Sequence, residues 1–156
     1  MNRGFTLIET IIYIALLGLI MGGVLMATYS LLEGAGRVGG GTIVQEEGNF
    51  VLRKISWAFS NIQGINSPPS GYSGLLSVNK VSFSNNPVEI QLNTTTHTIE
   101  IREGVASPFI PLTSENVEVT TLQFHYLPAS GSGPAGIEAS TTINGSVFYI
   151  KKYLRI

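Results

Sequence analysis

The chain has 156 residues, of which 44% are hydrophobic and only 12% are charged, and its formal net charge is −1. The charged share is about half that of an ordinary soluble protein, which indicates that part of the chain lies in a membrane. A net charge so close to zero gives no whole-chain electrostatic footprint for nucleic acid or anionic lipid. Cysteine is absent, which excludes disulfides, thiolate catalysis and cysteine-bound zinc. Every acidic residue is Glu, which disfavours a calcium loop built on Asp oxygens.

A long uncharged run dominates the amino-terminal part of the chain. Residues 10–32 carry no formal charge, and as a helix they would be about 35 Å long. That length exceeds the roughly 30 Å hydrocarbon core of a bilayer, so the run can span it. A secretory signal peptide is the main alternative, but the run is too long for one and its flank offers only a weak Ala/Gly cleavage site. Arg3, on the short amino-terminal side, favours a cytoplasmic start, although one arginine is a weak signal.

Two features of this run bear on function. Glu9 places a carboxylate at its head, where a charge near lipid costs several kcal/mol unless it is paired or held among headgroups. Gly18 and Gly22 form a GxxxG step, and Gly23 with Ala27 forms a second small-xxx-small step. For these glycines, close helix packing, local loosening of the helix and no special role all remain open.

Helical periodicity resumes after a glycine-dense patch at residues 34–41. An apolar stripe recurs at three-, four- and seven-residue steps, and it consists of Val44, Val51, Ile55, Phe59 and Ile62. Charged residues supply the opposite side. We therefore predict an amphipathic helix that continues outward over residues 34–63 and packs its stripe on another layer.

From residue 64 onward the pattern changes to short alternating runs punctuated by Pro, Gly, Ser and Asn, which is typical of antiparallel strands. Residues 88–93 and 98–102 read as a hairpin. The apolar phase flips between Val119 and Leu122, which predicts a bulge at Thr120–Thr121. Neither a helix with one apolar stripe nor a half-apolar sheet can bury its face alone, so the predicted fold class is α+β.

The stretch "GFTLIE", followed at once by the apolar run, resembles the class III signal of type IV prepilins and type II secretion pseudopilins. The resemblance implies cleavage after Gly4, N-methylation of the new amino terminus at Phe5, and an assembly role for Glu9. It also implies a pilin-like fold, in which a long helix, half transmembrane and half amphipathic, packs on an antiparallel sheet. Physically, the freed amine of Phe5 in one subunit can pair with Glu9 of its neighbour, which neutralises two charges that are costly in lipid.

Further along, "PLTSENVEVTTLQFHY" is similar to a segment of the J-type minor pseudopilins and W-type minor pilins. The calcium loop of the major pseudopilin has no counterpart here, and neither do the paired cysteines of many major pilins. The resemblance therefore favours a minor subunit.

The predicted organisation is a leader peptide at residues 1–4, a transmembrane and assembly helix at 5–33, an amphipathic helix at 34–63 and an antiparallel sheet domain at 64–156. The resemblance implies these partners: a prepilin peptidase and methyltransferase, other pilin or pseudopilin subunits, an inner-membrane assembly platform, and the lipid bilayer before assembly. The expected location is the inner membrane, in a single pass with the carboxy-terminal domain outside the cytoplasm, and then a filament in the periplasm or at the cell surface. No cofactor is implied, and DNA binding is left open.

Other candidate residues carry weaker signals. His97 and His125 lie in separate runs without Cys or Asp partners, so neither a metal site nor a catalytic triad is expected. Lys151, Lys152 and Arg155 read as a solvated strand face more readily than as a contact for DNA or lipid. We expect the tyrosines of the sheet to serve the sheet rather than a ligand, namely Tyr72, Tyr126, Tyr149 and Tyr153.

Two alternatives to a filament subunit remain. A bitopic membrane protein could carry a periplasmic binding module and never polymerise. An enzyme in the β-domain is disfavoured, because the sequence offers no convergent set of acid, base, nucleophile and metal ligands.

Overall fold

The computed structural model describes residues 6–131 and 133–154, with the side chains of residues 35–39 also outside the description. The chain divides into two compact units, Met1–Gly41 and Thr42–Ile156. One helix, α1 (Leu7–Ala58), supplies all of the described secondary structure in the first unit and the opening of the second. The transmembrane and amphipathic segments that the sequence predicted both belong to this helical element.

The carboxyl end of α1 differs from the prediction, which extended the amphipathic helix to residue 63. The helix ends at Ala58, Asn61 adopts a left-handed conformation with φ 52°, and residues 62–67 form a strand. Asn is one of the few residues that adopt such a conformation readily, and it commonly follows the last turn of a helix. Ile62 belongs to the apolar stripe in sequence, but it pairs with Lys80 in a sheet because ladder hydrogen bonds are available there.

A buried lysine caps this helix end. The Nζ of Lys80 donates hydrogen bonds to the carbonyl of Trp57 at 2.6 Å, the carbonyl of Ser60 at 2.5 Å and the hydroxyl of Ser60 at 3.0 Å. Three donors thus meet three acceptors, at the end of the helix where a cation is favoured. Burial lowers the pKa of Lys80 from its ordinary value, and the charge of Glu103 opposes that shift.

The strands form two antiparallel sheets rather than one. Their bounds are β1 (Ile62–Ser67), β2 (Tyr72–Ser73), β3 (Leu75–Lys80), β4 (Val88–Asn93), β5 (Thr98–Glu103), β6 (Ile110–Pro111), β7 (Val119–Leu127), β8 (Gly136–Ile143) and β9 (Ser146–Tyr153). The five-stranded sheet has the order β1-β3-β4-β5-β6, and the four-stranded sheet has the order β2-β7-β8-β9. The α+β pilin-like arrangement that the sequence predicted is confirmed, with a long amino-terminal apolar helix and antiparallel sheets.

Strand pairing matches the sequence pattern in two specific places. The predicted hairpin is β4–β5, in which Ile90 lies opposite Ile101. The predicted bulge is present on β7, where the register against β8 shifts between Val119 and Thr121. The shift turns Leu122 and Phe124 to the inner side of the sheet, where both are buried, and so resolves the phase flip in the sequence.

The core lies within the second unit, between the later part of α1 and both sheets. Its fully buried members include Val51 and Ile55 from the predicted stripe, together with Leu76, Ile90, Phe124 and Ile137 from the sheets. Burial of this apolar area is the main stabilising contribution to the unit.

The helix approaches the sheet closely at Gly48, where a Cβ would lie 2.2 Å from Cε1 of the buried Phe148 ring. We expect Gly48→Ala to lower the free energy of unfolding by about 1–3 kcal/mol, because the helix or the ring must move. The measurement is chemical denaturation of the full chain in micelles. Gly41→Ala is the matched control, since a Cβ there meets nothing within 4 Å and Ala favours the helix. Equal losses in the two variants would contradict the close-packing account.

Candidate functional site

The first described turn of the chain shows how α1 begins. Thr6 precedes the helix, and its carbonyl accepts hydrogen bonds from the backbone N–H of Glu9 at 3.1 Å and of Thr10 at 3.2 Å. Thr is a favoured residue at this position, and Glu three residues later completes the sequence pattern of a capping box. Glu9 also places a negative charge in the first turn, where the helix dipole favours it. Gly4 and Phe5, the predicted cleavage and methylation residues, lie outside the described residues.

The helix beyond this turn is apolar on every side. Leu7–Gly34 is long and apolar enough to cross a membrane, and its most apolar window has a mean hydropathy of 2.3 and no buried residues. Its large apolar side chains are at least 52% exposed, from Leu7 at 81% to Leu16 at 52%. A helix that is hydrophobic all round is stable only in lipid or among other helices.

The Thr and Ser hydroxyl groups inside this segment donate hydrogen bonds to carbonyls of the helix itself. Thr28 donates to the carbonyl of Val24 at 2.9 Å, and Ser30 donates to the carbonyl of Met26 at 3.1 Å. Such back-bonding lets a hydroxyl lie in an apolar environment without an external partner. The carboxylate of Glu9 is different, because no side chain within the described part of the chain pairs with it.

The three glycines singled out in the sequence lie on open helix surface. A Cβ at Gly18, Gly22 or Gly23 would meet nothing within 4 Å. Nothing in the chain itself therefore requires glycine at these positions, and their predicted role in helix packing stays a prediction.

Comparison with known proteins bears on this segment. A family model described as the prokaryotic N-terminal methylation motif matches residues 1–25. The chain carries a type IV pilin-like or pseudopilin-like class III signal. No curated protein and no solved structure matches the chain. The match extends to residue 25 and so includes the start of the apolar helix, which makes the motif and the exposed helix parts of one site.

The class III signal has direct consequences for how the chain is classed. It supports a pilin-like or pseudopilin-like subunit and points to a structural role. It implies processing by a prepilin peptidase and assembly with other pilins. Together with the single apolar helix, it fits a membrane-anchored protein.

The remaining polar candidates lie in the sheets. His97 is exposed in the β4–β5 turn, and His125 lies on β7 in the other sheet, so the fold does not bring the two together. Across residues 6–131 and 133–154, no group of three or more His and Glu residues could hold a metal ion. Lys151 and Lys152 are exposed on the edge strand β9, whereas Arg155 lies outside the described residues.

Sequence reasoning did not find a row of side chains on the outer face of the four-stranded sheet. Register places Tyr72, His125, Glu138 and Lys151 side by side across all four strands. The Tyr72 and His125 rings stack at a centroid distance of 4.1 Å, and Nδ1 of His125 lies 3.9 Å from Oε2 of Glu138. The alternation of outward and inward residues along each strand is visible in the sequence. Which outward residues lie next to one another depends on how the strands pair.

Two further residues on β9 border this row. Partial burial raises the pKa of Tyr149, with a hydrogen bond to Glu138 as the next contribution. A hydrogen bond with Tyr153 raises the pKa of Lys151, whose Nζ lies 5.3 Å from the centre of the Tyr153 ring. The charge of Glu138 contributes to both increases.

Membrane insertion of the apolar segment can be tested by placing charge at its centre. We expect Leu16→Arg combined with Ile20→Arg to lower the membrane-integrated fraction, because each arginine at a helix centre costs about 2.5–3.5 kcal/mol on insertion scales. The measurement is resistance to alkaline extraction from membranes. The control is Val81→Arg with Val105→Arg, two exposed positions of the sheet unit. Unchanged extraction of the Leu16 and Ile20 variant would contradict a spanning role.

Proposed function

We propose that this chain is a structural subunit of a type IV pilus or a type II secretion pseudopilus. It is cleaved after Gly4, methylated at Phe5 and polymerised through its amino-terminal helix. The observation that carries the proposal is the methylation motif at residues 1–25, which overlaps a helix with an exposed apolar surface on every side.

The exposed helix supports assembly as well as anchoring. In the membrane, lipid covers the apolar side chains of residues 7–34. When a subunit leaves the bilayer, that surface needs an equally apolar cover, which the same segment of neighbouring subunits supplies. The helices then form the filament core, and the folded β-units coat it. Gly18, Gly22 and Gly23 are the positions where backbones can approach most closely.

Glu9 specifies the register in this proposal. Its carboxylate has no side-chain partner among the described residues, and cleavage after Gly4 creates a cationic amine four residues away. The amine of Phe5 in one subunit pairs with Glu9 of the next, and each charge removes the desolvation cost of the other. The competing role of Glu9 is local, because it also stabilises the first turn of α1.

A minor subunit is the form of this proposal that the sequence favours. The chain has no Asp for the calcium loop of a major pseudopilin and no Cys for the disulfide of a major pilin. The segment at residues 111–126 resembles the J-type and W-type minor subunits. Expected partners are the prepilin peptidase and methyltransferase, other subunits and the inner-membrane assembly platform, and the destination is the periplasm or the cell surface.

Processing is tested by expressing the chain with and without a prepilin peptidase. We expect the peptidase to remove residues 1–4 and to leave a methylated Phe5, and intact-mass spectrometry reads both changes. Gly4→Leu should stay uncut, because it puts a bulky side chain at the scissile bond. Gly34→Leu, at an open position of the same helix, is the control and should be cut normally. A wild-type chain that the peptidase never cuts would refute the proposal and leave a bitopic binding module as the function.

Assembly is tested through Glu9. We expect Glu9→Gln and Glu9→Ala to be inserted and cleaved normally but incorporated into sheared filaments several-fold less than the wild type, because the Phe5 amine loses its counter-charge. Glu115→Gln, an exposed residue of the sheet unit, is the control. Gln keeps the hydrogen-bonding side chain of the capping box but not the charge, so wild-type incorporation of Glu9→Gln would remove the pairing account.

A further inference from the structure

The outer face of the four-stranded sheet exposes three tyrosines. Tyr72 is 66% exposed, and Tyr149 and Tyr153 are each 52% exposed. The sequence predicts that they serve the sheet, and their exposed rings are also available to a ligand. We name the outward surface formed by Tyr72, His125, Glu138, Tyr149, Lys151 and Tyr153 the tyrosine face. Amphipathic rings presented to solvent are typical of recognition surfaces, because they offer large contact area at low entropic cost.

The tyrosine face is ordered before any ligand arrives. The row from Tyr72 to Lys151 crosses four strands, a distance of about 14 Å at the usual strand spacing. The Tyr72 and His125 rings are nearly parallel, with an interplanar angle of 9°, so His125 holds Tyr72 in one orientation. Tyr149 lies diagonally across from Glu138 on the neighbouring strand, within reach of a side-chain contact.

Gly136 leaves the space in which the third ring, that of Tyr153, lies. A Cβ at this position would lie 2.9 Å from Cδ1 of Tyr153 and 2.5 Å from the carbonyl oxygen of Lys152. Only glycine therefore lets Tyr153 lie against the sheet. Beside it, a cavity of about 430 Å³ opens at the end of the face, and its lining includes Tyr153, Lys151, Pro128 and Pro134. The tyrosine face thus runs from a flat platform into a concave end.

The floor between the rings is polar. Gln123 and Ser140 lie in register with Tyr149 and supply an amide and a hydroxyl, and Glu138 supplies a carboxylate. Their neighbours on the inner side, Phe124 and Ala139, are buried in the core, so the alternation along each strand points the polar groups outward. Aromatic rings around hydrogen-bonding groups fit a ligand that has apolar faces and polar edges.

The net charge of the tyrosine face indicates which class of ligand it can bind. Among the described residues of the tyrosine face, the negative Glu138 and the positive Lys151 lie in adjacent register, and their charges cancel. Nucleic acids and anionic lipids bind chiefly through excess positive charge, which this face lacks. A sugar ring instead carries C–H groups that pack on an aromatic ring and hydroxyls that bond to carboxylate, amide and hydroxyl groups.

We propose that the tyrosine face binds an uncharged oligosaccharide, whose rings stack on Tyr149 and Tyr153 and whose hydroxyls bond to Glu138. The concave end beside Tyr153 takes a terminal sugar. This binding belongs to the folded sheet unit and does not depend on cleavage, methylation or assembly, so it can fail without affecting the proposed filament role.

The experiment uses the uncleaved full chain in a detergent without a sugar headgroup, which would otherwise compete. The probes are uncharged oligosaccharides of glucose, mannose, galactose and N-acetylglucosamine, and calorimetry gives the dissociation constant. We expect at least one probe to bind. Tyr149→Ala and Tyr153→Ala should each weaken it about tenfold, because each loses a stacking ring. Tyr153→Phe, which keeps the ring, should weaken it far less.

Two further variants separate the tyrosine face from the rest of the surface. Glu138→Gln should weaken binding, because it removes a strong acceptor for sugar hydroxyls. Ile110→Ala, at an exposed apolar position of the five-stranded sheet, is the matched control and should bind like the wild type.

Three results would overturn the proposal. The first is that no uncharged probe binds the wild-type chain. The second is that Tyr149→Ala and Tyr153→Ala bind as the wild type does. The third is that single-stranded DNA or anionic vesicles bind in a manner that requires Tyr149 and Tyr153, which would assign the face to another class of ligand.

Discussion

The amino-terminal part of α1 has an apolar surface that is exposed in the described structure, and the location and proposed role of the protein follow from that exposure. Along residues 7–34 the large side chains are exposed on every side. The hydrophobic effect then requires a cover from outside the chain, either lipid or other helices. Anchoring and assembly are two answers to this one physical demand, and the methylation motif at residues 1–25 connects them to a known class of signal.

The apolar stripe in the later part of the same helix is buried by the rest of its unit. Val51 and Ile55 are fully buried, and Gly48 brings the backbone against Phe148 so closely that no side chain fits between them. Lys80 crosses from the sheet and donates hydrogen bonds to the carbonyl of Trp57 in the last turn of the helix and to the carbonyl of Ser60 just beyond it. One helical element thus suits two environments. Apolar side chains cover every side of its first part, whereas in its later part they form one stripe that packs in the core.

The tyrosine face forms only when the fold brings together residues from four strands. The row consists of residues from four different strands, namely Tyr72, His125, Glu138 and Lys151. Strand register places them side by side. The inward residues of those strands pack the core and fix the sheet, which leaves the outward residues free to vary with function. The inward side of these strands therefore packs the core of the unit, and the outward side presents the tyrosine face.

Local pattern in the sequence determined the apolar helix, the buried stripe, the β4–β5 hairpin, the bulge near Thr121 and the class III signal. Each depends on residues close together along the chain, where periodicity and residue type decide the outcome. Only the tertiary structure decided the division into two sheets, the end of α1 at Ala58, the cap by Lys80 and the row on the tyrosine face. These depend on which distant segments pair, and strand pairing is set by packing across the whole unit, which local periodicity does not encode.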